Sequence, residues 1–185
     1  MEVDKNKLRV SNLVLAVVLL SAFLNPAVEG YETSYQWLFM LAHYGLFLGG
    51  LSLTYRLVKG TPLLLLPSGF IVVLWHLPLY FSLAAAFPTY RALNDVTLAL
   101  AGALAGAAGG SLSTMWKFSL IVLWMAVDSA YSLVFFSGDP LYSNEVYRFS
   151  PYPPTQEIYT AITMWVVMSA VIAYIIAKFV NYMIS

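Results

Sequence analysis

Residues 156–182 read QEIYTAITMWVVMSAVIAYIIAKFVNY, with no charge between Glu157 and Lys178. Roughly 17–25 apolar residues in helical form cross a hydrocarbon core about 30 Å thick, so this segment predicts a transmembrane helix. A strand here would leave its backbone groups unsatisfied in lipid. Working outward, five more stretches of the same kind appear, each bounded by charges, Pro, Gly or a polar cluster. They are Leu8–Leu24, Ser34–Leu57, Pro62–Phe87, Asp95–Leu112 and Met115–Phe136. With Gln156–Tyr182 they predict an all-α integral membrane protein, a six-transmembrane-helix bundle forming one domain over residues 1–185. A single long loop, 137–155, carries Pro140, Pro151, Pro153 and Pro154 and is expected to fold over one end of the bundle.

Composition points the same way. Hydrophobic residues make up 61% of the chain and charged ones 10%, against roughly 25% charged in soluble domains. No soluble fold of this size buries so much apolar surface. Net charge is zero and the nine basic residues are scattered, which leaves a nucleic-acid reading without a basic face. Cysteine is absent, excluding disulfides, thiolate metal sites and a cysteine nucleophile. There is no phosphate-binding loop, no HExxH zinc pattern and no Ser–His pair in a motif context, so no enzymatic activity is expected.

Charge sets an orientation. Six helices place Lys5, Lys7, Arg9, Arg56, Lys59, Lys117 and Lys178 on one side, with Arg91 and Arg148 opposite. The positive-inside rule then makes both termini cytoplasmic in a multi-pass protein of the plasma membrane. The outer side collects Glu29, Glu32, Asp95, Asp139, Glu145 and Glu157, together with a tyrosine belt that includes Tyr31, Tyr90, Tyr142 and Tyr152.

Ionisable residues inside membrane spans are costly and point to function. His43, His76 and Asp128 are such residues, and the two histidines are the only ones in the chain. At 1.5 Å per residue they lie about 14, 16 and 12 Å below the outer ends of their helices, in one layer. Met40 precedes His43 by three residues and Met125 precedes Asp128 by three, so each shares a helix face with its partner. Met164 and Met168 reach a similar depth. Imidazole with thioether suits copper, Cu(I) above all. His43, His76, Asp128 and Met125 are therefore the candidate metal ligands. Two histidines on antiparallel helices equally suit the axial positions of a b-type haem, with Gly45, Gly49 and Gly50 clearing room for it. Those glycines also suit close helix packing, the role expected for Gly102, Gly106 and Gly110. A third reading takes the histidines as interhelical hydrogen-bonding groups of a structural subunit without a cofactor. Pro78, two residues past His76, is expected to kink its helix.

Several segments resemble a known family. Met40-Leu41-Ala42-His43-Tyr44 followed by Pro62-Leu63-Leu64-Leu65-Leu66, then Leu74-Trp75-His76-Leu77-Pro78, resemble the CtaG-type membrane proteins. So do Pro140-Leu141-Tyr142, Ser150-Pro151-Tyr152, Gln156 and Met164-Trp165, in the same order over roughly residues 36–167. Small archaeal membrane proteins share this shortened pattern. The resemblance implies an accessory factor for assembly of haem–copper cytochrome oxidases, with oxidase subunits and the lipid bilayer as partners. It carries over His43 and His76. Where that family has further histidines, this chain has Phe47 and the run Leu93-Asn94-Asp95.

Overall fold

The computed structural model describes residues 2–3 and 10–184. Lys5, Lys7 and Arg9, on which part of the orientation rests, lie outside the described residues, as does the predicted helix start at Leu8. Helix α1 (Val10–Phe23) runs into a short α2 (Pro26–Glu32) at a bend of 59°. Pro26 occupies the first position of α2, and the Asn25 side chain caps it by accepting from the Ala27 N–H at 2.9 Å. Helix α3 (Gln36–Thr54) follows. A two-residue antiparallel pairing, β1 (Glu2–Val3) with β2 (Val58–Lys59), sets Glu2 opposite Lys59. A single 3-10 turn at Pro62–Leu64 then leads into α4 (Leu65–His76).

Pro62–Phe87, predicted as one kinked helix, is two. After α4 the chain turns through 73° at an extended Leu77 and resumes as α5 (Pro78–Ala86). Proline disfavours helical backbone in the residue before it and has no N–H to give the preceding turn. Helix α6 (Pro88–Gly109) starts seven residues earlier than the predicted Asp95, with Pro88 at its first position after an extended Phe87. Arg91 and Asn94, predicted to precede the helix, are thus buried helical residues, as is Asp95. Helices α7 (Thr114–Phe136) and α8 (Glu157–Ile184) complete the chain. Between them residues 137–153 form an ordered loop, and a 3-10 turn at Pro154–Gln156 opens α8.

Four helices, α3, α6, α7 and α8, are long and apolar enough to cross a bilayer, and six spans result if each bent pair counts as one. Their outward faces are apolar: Leu123 and Val127 on α7 and Ile162 and Val166 on α8 are exposed. This is the surface of a helical membrane protein in contact with lipid. The tightest packing is between α3 and α6. A Cβ at Gly50 would meet the Ala99 carbonyl, and one at Gly102 the Phe47 carbonyl, so the two backbones touch. Thr54 donates across the same seam to the Ala103 carbonyl at 2.7 Å.

Candidate functional site

The break after α4 decides the geometry of the site. Where a helix ends, its last carbonyls lose their intrahelical partners and need others. The His76 carbonyl takes two hydroxyl donors instead, Tyr142 at 2.8 Å and Tyr131 at 3.1 Å. Burial pushes the Tyr142 phenol up to about 12, which keeps it a donor at any physiological pH. One tyrosine comes from α7 and the other from the 137–153 loop, so the bend beside His76 is tied to both.

The two histidines meet. Their ring centres are 5.4 Å apart and the rings are nearly perpendicular, at 77°. In each, Nδ1 lies against the carbonyl four residues earlier, Phe39 at 2.8 Å for His43 and Val72 at 2.7 Å for His76. A carbonyl only accepts, so Nδ1 carries the proton and Nε2 is the bare lone pair in both rings. His43 is 2% exposed and its Nε2 has no hydrogen-bond partner, an orphaned acceptor in an apolar layer. Phe39 packs edge-on against His43 at 4.5 Å, Phe81 lies 5.7 Å from the same ring, and Tyr131 sits 5.2 Å from His76.

The other two candidate ligands do not join the pair. The Asp128 carboxylate is buried and accepts the Tyr44 hydroxyl on both oxygens, at 2.7 and 2.9 Å. Tyr44 follows His43 directly but lies about 100° farther round α3, and it holds Asp128 on that neighbouring face. Met125, half-buried on α7, has no polar contact. Among the described residues no third His, Cys, Asp or Glu groups with the histidines. Met40 and Met164 are fully buried in the same core cluster as Phe39, Phe81 and Trp75.

The donor set can be tested against each proposed occupant. A metal about 2.0–2.1 Å from an imidazole nitrogen is roughly 3.1 Å from the ring centre, so two rings on one ion stand about 6.3 Å apart when opposed and closer when bent. The observed 5.4 Å, with the rings edge to face, is shorter than that opposed spacing. It is too short for an opposed pair clasping a macrocycle. The glycines that were to make room for haem are filled as well: Gly45 abuts Phe23, Gly49 abuts Leu20 and Gly50 abuts Ala99. The spacing and the filled glycine faces do not fit haem, and two imidazoles without a third His, Cys, Asp or Glu among the described residues are an incomplete donor set for a cation.

Above the pair lies a polar roof that the sequence reading missed. The Tyr142 backbone N–H donates to Glu157 Oε1 at 2.9 Å, and its carbonyl accepts from Gln36 Nε2 at 2.9 Å. Gln36 N donates to Gln156 Oε1 at 2.6 Å, and Gln36 Oε1 accepts from Thr160 at 2.9 Å. Arg91, on α6, forms a buried ion pair with Glu32 on α2 and donates from Nε to the Ala84 carbonyl at 2.9 Å. Its guanidinium lies 4.1 Å from the centre of the Phe39 ring, the ring that packs on His43. Tyr152, whose phenol burial raises, donates to the Glu32 carbonyl at 2.5 Å. The one available signal was Gln36 and Gln156, uncharged polar residues placed just inside helix starts.

Fold and site together define a helical membrane protein holding a paired-histidine site beneath a tightly bonded lid. Residues 14–182 match the family model described as Protein of unknown function (DUF1404), and the chain belongs to that family. No curated protein and no solved structure matches it.

Proposed function

We propose that this protein is a six-span accessory factor of the plasma membrane, with both termini cytoplasmic. In this reading it holds a soft cation, copper(I) foremost, between His43 and His76 for a haem–copper respiratory oxidase. The observation that carries the metal reading is the buried, unpartnered Nε2 of His43 beside a second imidazole in the same tautomer. Leaving a buried acceptor unpaired costs about 1–3 kcal/mol, and a cation accepting the lone pair removes that cost. Nδ1–H bonds to fixed carbonyls orient metal-ligating imidazoles and raise their basicity. The two helices therefore supply ligands set before any ion arrives. A neutral two-nitrogen set with buried thioethers nearby favours Cu(I) over harder ions. The oxidase as client rests on the CtaG-like segments alone.

The test is copper content and Cu(I) affinity of the full chain in mild detergent, measured by elemental analysis and chelator competition. The proposal expects near-stoichiometric copper that His43→Ala abolishes. A His43→Ala protein that holds copper as tightly as the wild type would remove it. The close packing of both rings among Phe39, Phe81 and Tyr131 favours a second reading, in which the histidines only join helices. That reading expects His43→Ala to lower stability in protein that binds no metal.

A further inference from the structure

The opposite end of the bundle carries a feature that the histidine site does not use. A cavity of about 280 Å³ there is lined by Arg56, Lys59, Gly110 and Lys117. Three chain segments bring them together: the turn after α3, the end of α6 and the first turn of α7. Gathering three cations costs energy unless an anion offsets them. Among the described residues the only ion pair is Arg91–Glu32, at the other end of the molecule.

Arg56 is exposed and Lys117 half-buried, and both stand over one aromatic ring. The Arg56 guanidinium and the Lys117 ammonium each lie 5.5 Å from the centre of the Tyr55 ring. Among the described residues Arg56 is also the only non-glycine with positive φ, at 69°. A side chain held in that conformation stores strain, and such strain gathers at binding sites.

We propose that Arg56, Lys59 and Lys117 form a binding site for a phosphate-bearing anion, the chemistry shared by an anionic lipid headgroup and a free phosphate. Arginine's planar fork pairs two phosphate oxygens at once, and lysine supplies point charge beside it. The site lies at helix ends, the height at which lipid phosphates meet basic residues flanking a span.

The test uses the full chain, delipidated in neutral detergent. Phosphatidylglycerol and phosphatidylcholine are titrated separately and bound lipid is counted by native mass spectrometry, with inorganic pyrophosphate as the soluble probe. The expected result is saturable phosphatidylglycerol binding that falls at least about tenfold in R56Q/K117Q. Pyrophosphate that binds where phosphatidylglycerol does not, with the same loss in the double variant, assigns the site to soluble phosphates and supports the proposal equally. Arg56→Gly separates charge from backbone strain, because glycine adopts positive φ freely. It should melt no lower than wild type and still lose the anion. Binding of neither probe, equal binding by R56Q/K117Q and wild type, or unchanged binding by Arg56→Gly would each overturn the proposal.

Discussion

Breaking the Arg91–Glu32 pair from one side should cost far more than removing it whole. Glu32 is 0% exposed and its Oε1 already lacks a partner, so its other oxygen depends on Arg91. Arg91→Met strips that donor away, along with the bonds to the Ala84 and Ala85 carbonyls and the cation over Phe39. Leaving one member of a buried pair uncompensated costs about 3–5 kcal/mol, and Glu32→Met should cost about as much by stranding the guanidinium. Replacing both with methionine exchanges the pair for apolar volume, which is often neutral. What the double variant still loses is the donation to the two carbonyls, about 1 kcal/mol each. The cycle therefore predicts a double variant down by about 1–2 kcal/mol and a coupling energy of at least about 3 kcal/mol. Reversible unfolding of all four proteins in mixed detergent micelles measures it. Single variants that each cost under about 1 kcal/mol and add to within about 0.5 kcal/mol would refute the account of the roof.

The two hydroxyls on the His76 carbonyl are partly redundant. Tyr142→Phe or Tyr131→Phe alone should cost about 0.5–1.5 kcal/mol, while the double variant should exceed their sum because only then is the carbonyl orphaned. The same unfolding assay reads this. Gly102→Val should force α3 and α6 apart, since its Cβ would meet the Phe47 carbonyl, with a loss of about 3 kcal/mol or more or failure to fold. Ser132→Ala removes the partner of the Trp165 indole, bonded at 2.6 Å, and should cost about 1–2 kcal/mol with Trp165 fluorescence altered. His76→Ala should weaken Cu(I) binding as strongly as His43→Ala, because the proposed two-nitrogen site keeps only one ligand in either variant. Chelator competition compares the two.

The spans were legible because a bilayer demands unbroken apolar runs, and α7 begins at Thr114 against a predicted Met115. The outer half of α6 was not. Arg91 read as a loop charge, whereas its partner Glu32 lies 59 residues away on α2. No local pattern carries that pairing. Pro78 announced a kink beside His76, but its size and the two tyrosines that bind the freed carbonyl depend on where α7 and the loop pass. Counting depth along helices brought His43 and His76 to one layer, and they meet there. The same count put Asp128 in that layer without fixing which way it faces. Depth gives height and says nothing of azimuth, and Tyr44, one residue from His43, is what holds that carboxylate.

The placement of the remaining polar groups bears on whether a cation held by the histidines could pass through. A path needs polar side chains with free valence on the inner side of the layer. Two of those described there are committed to carbonyls: Ser68 donates to Ala101 at 2.8 Å and Thr54 to Ala103 at 2.7 Å. Between them α3 and α6 touch backbone to backbone at Gly50, Gly102 and Gly106, which closes the seam that water would need. On the outer side the closure is of another kind. The 137–153 loop is held by side-chain bonds from Gln36, Glu157 and Tyr142, which exchange partners more readily than packed backbones separate. A cation held between His43 and His76, as proposed, would exchange through the loop side, where bonds rather than packed backbones close the way.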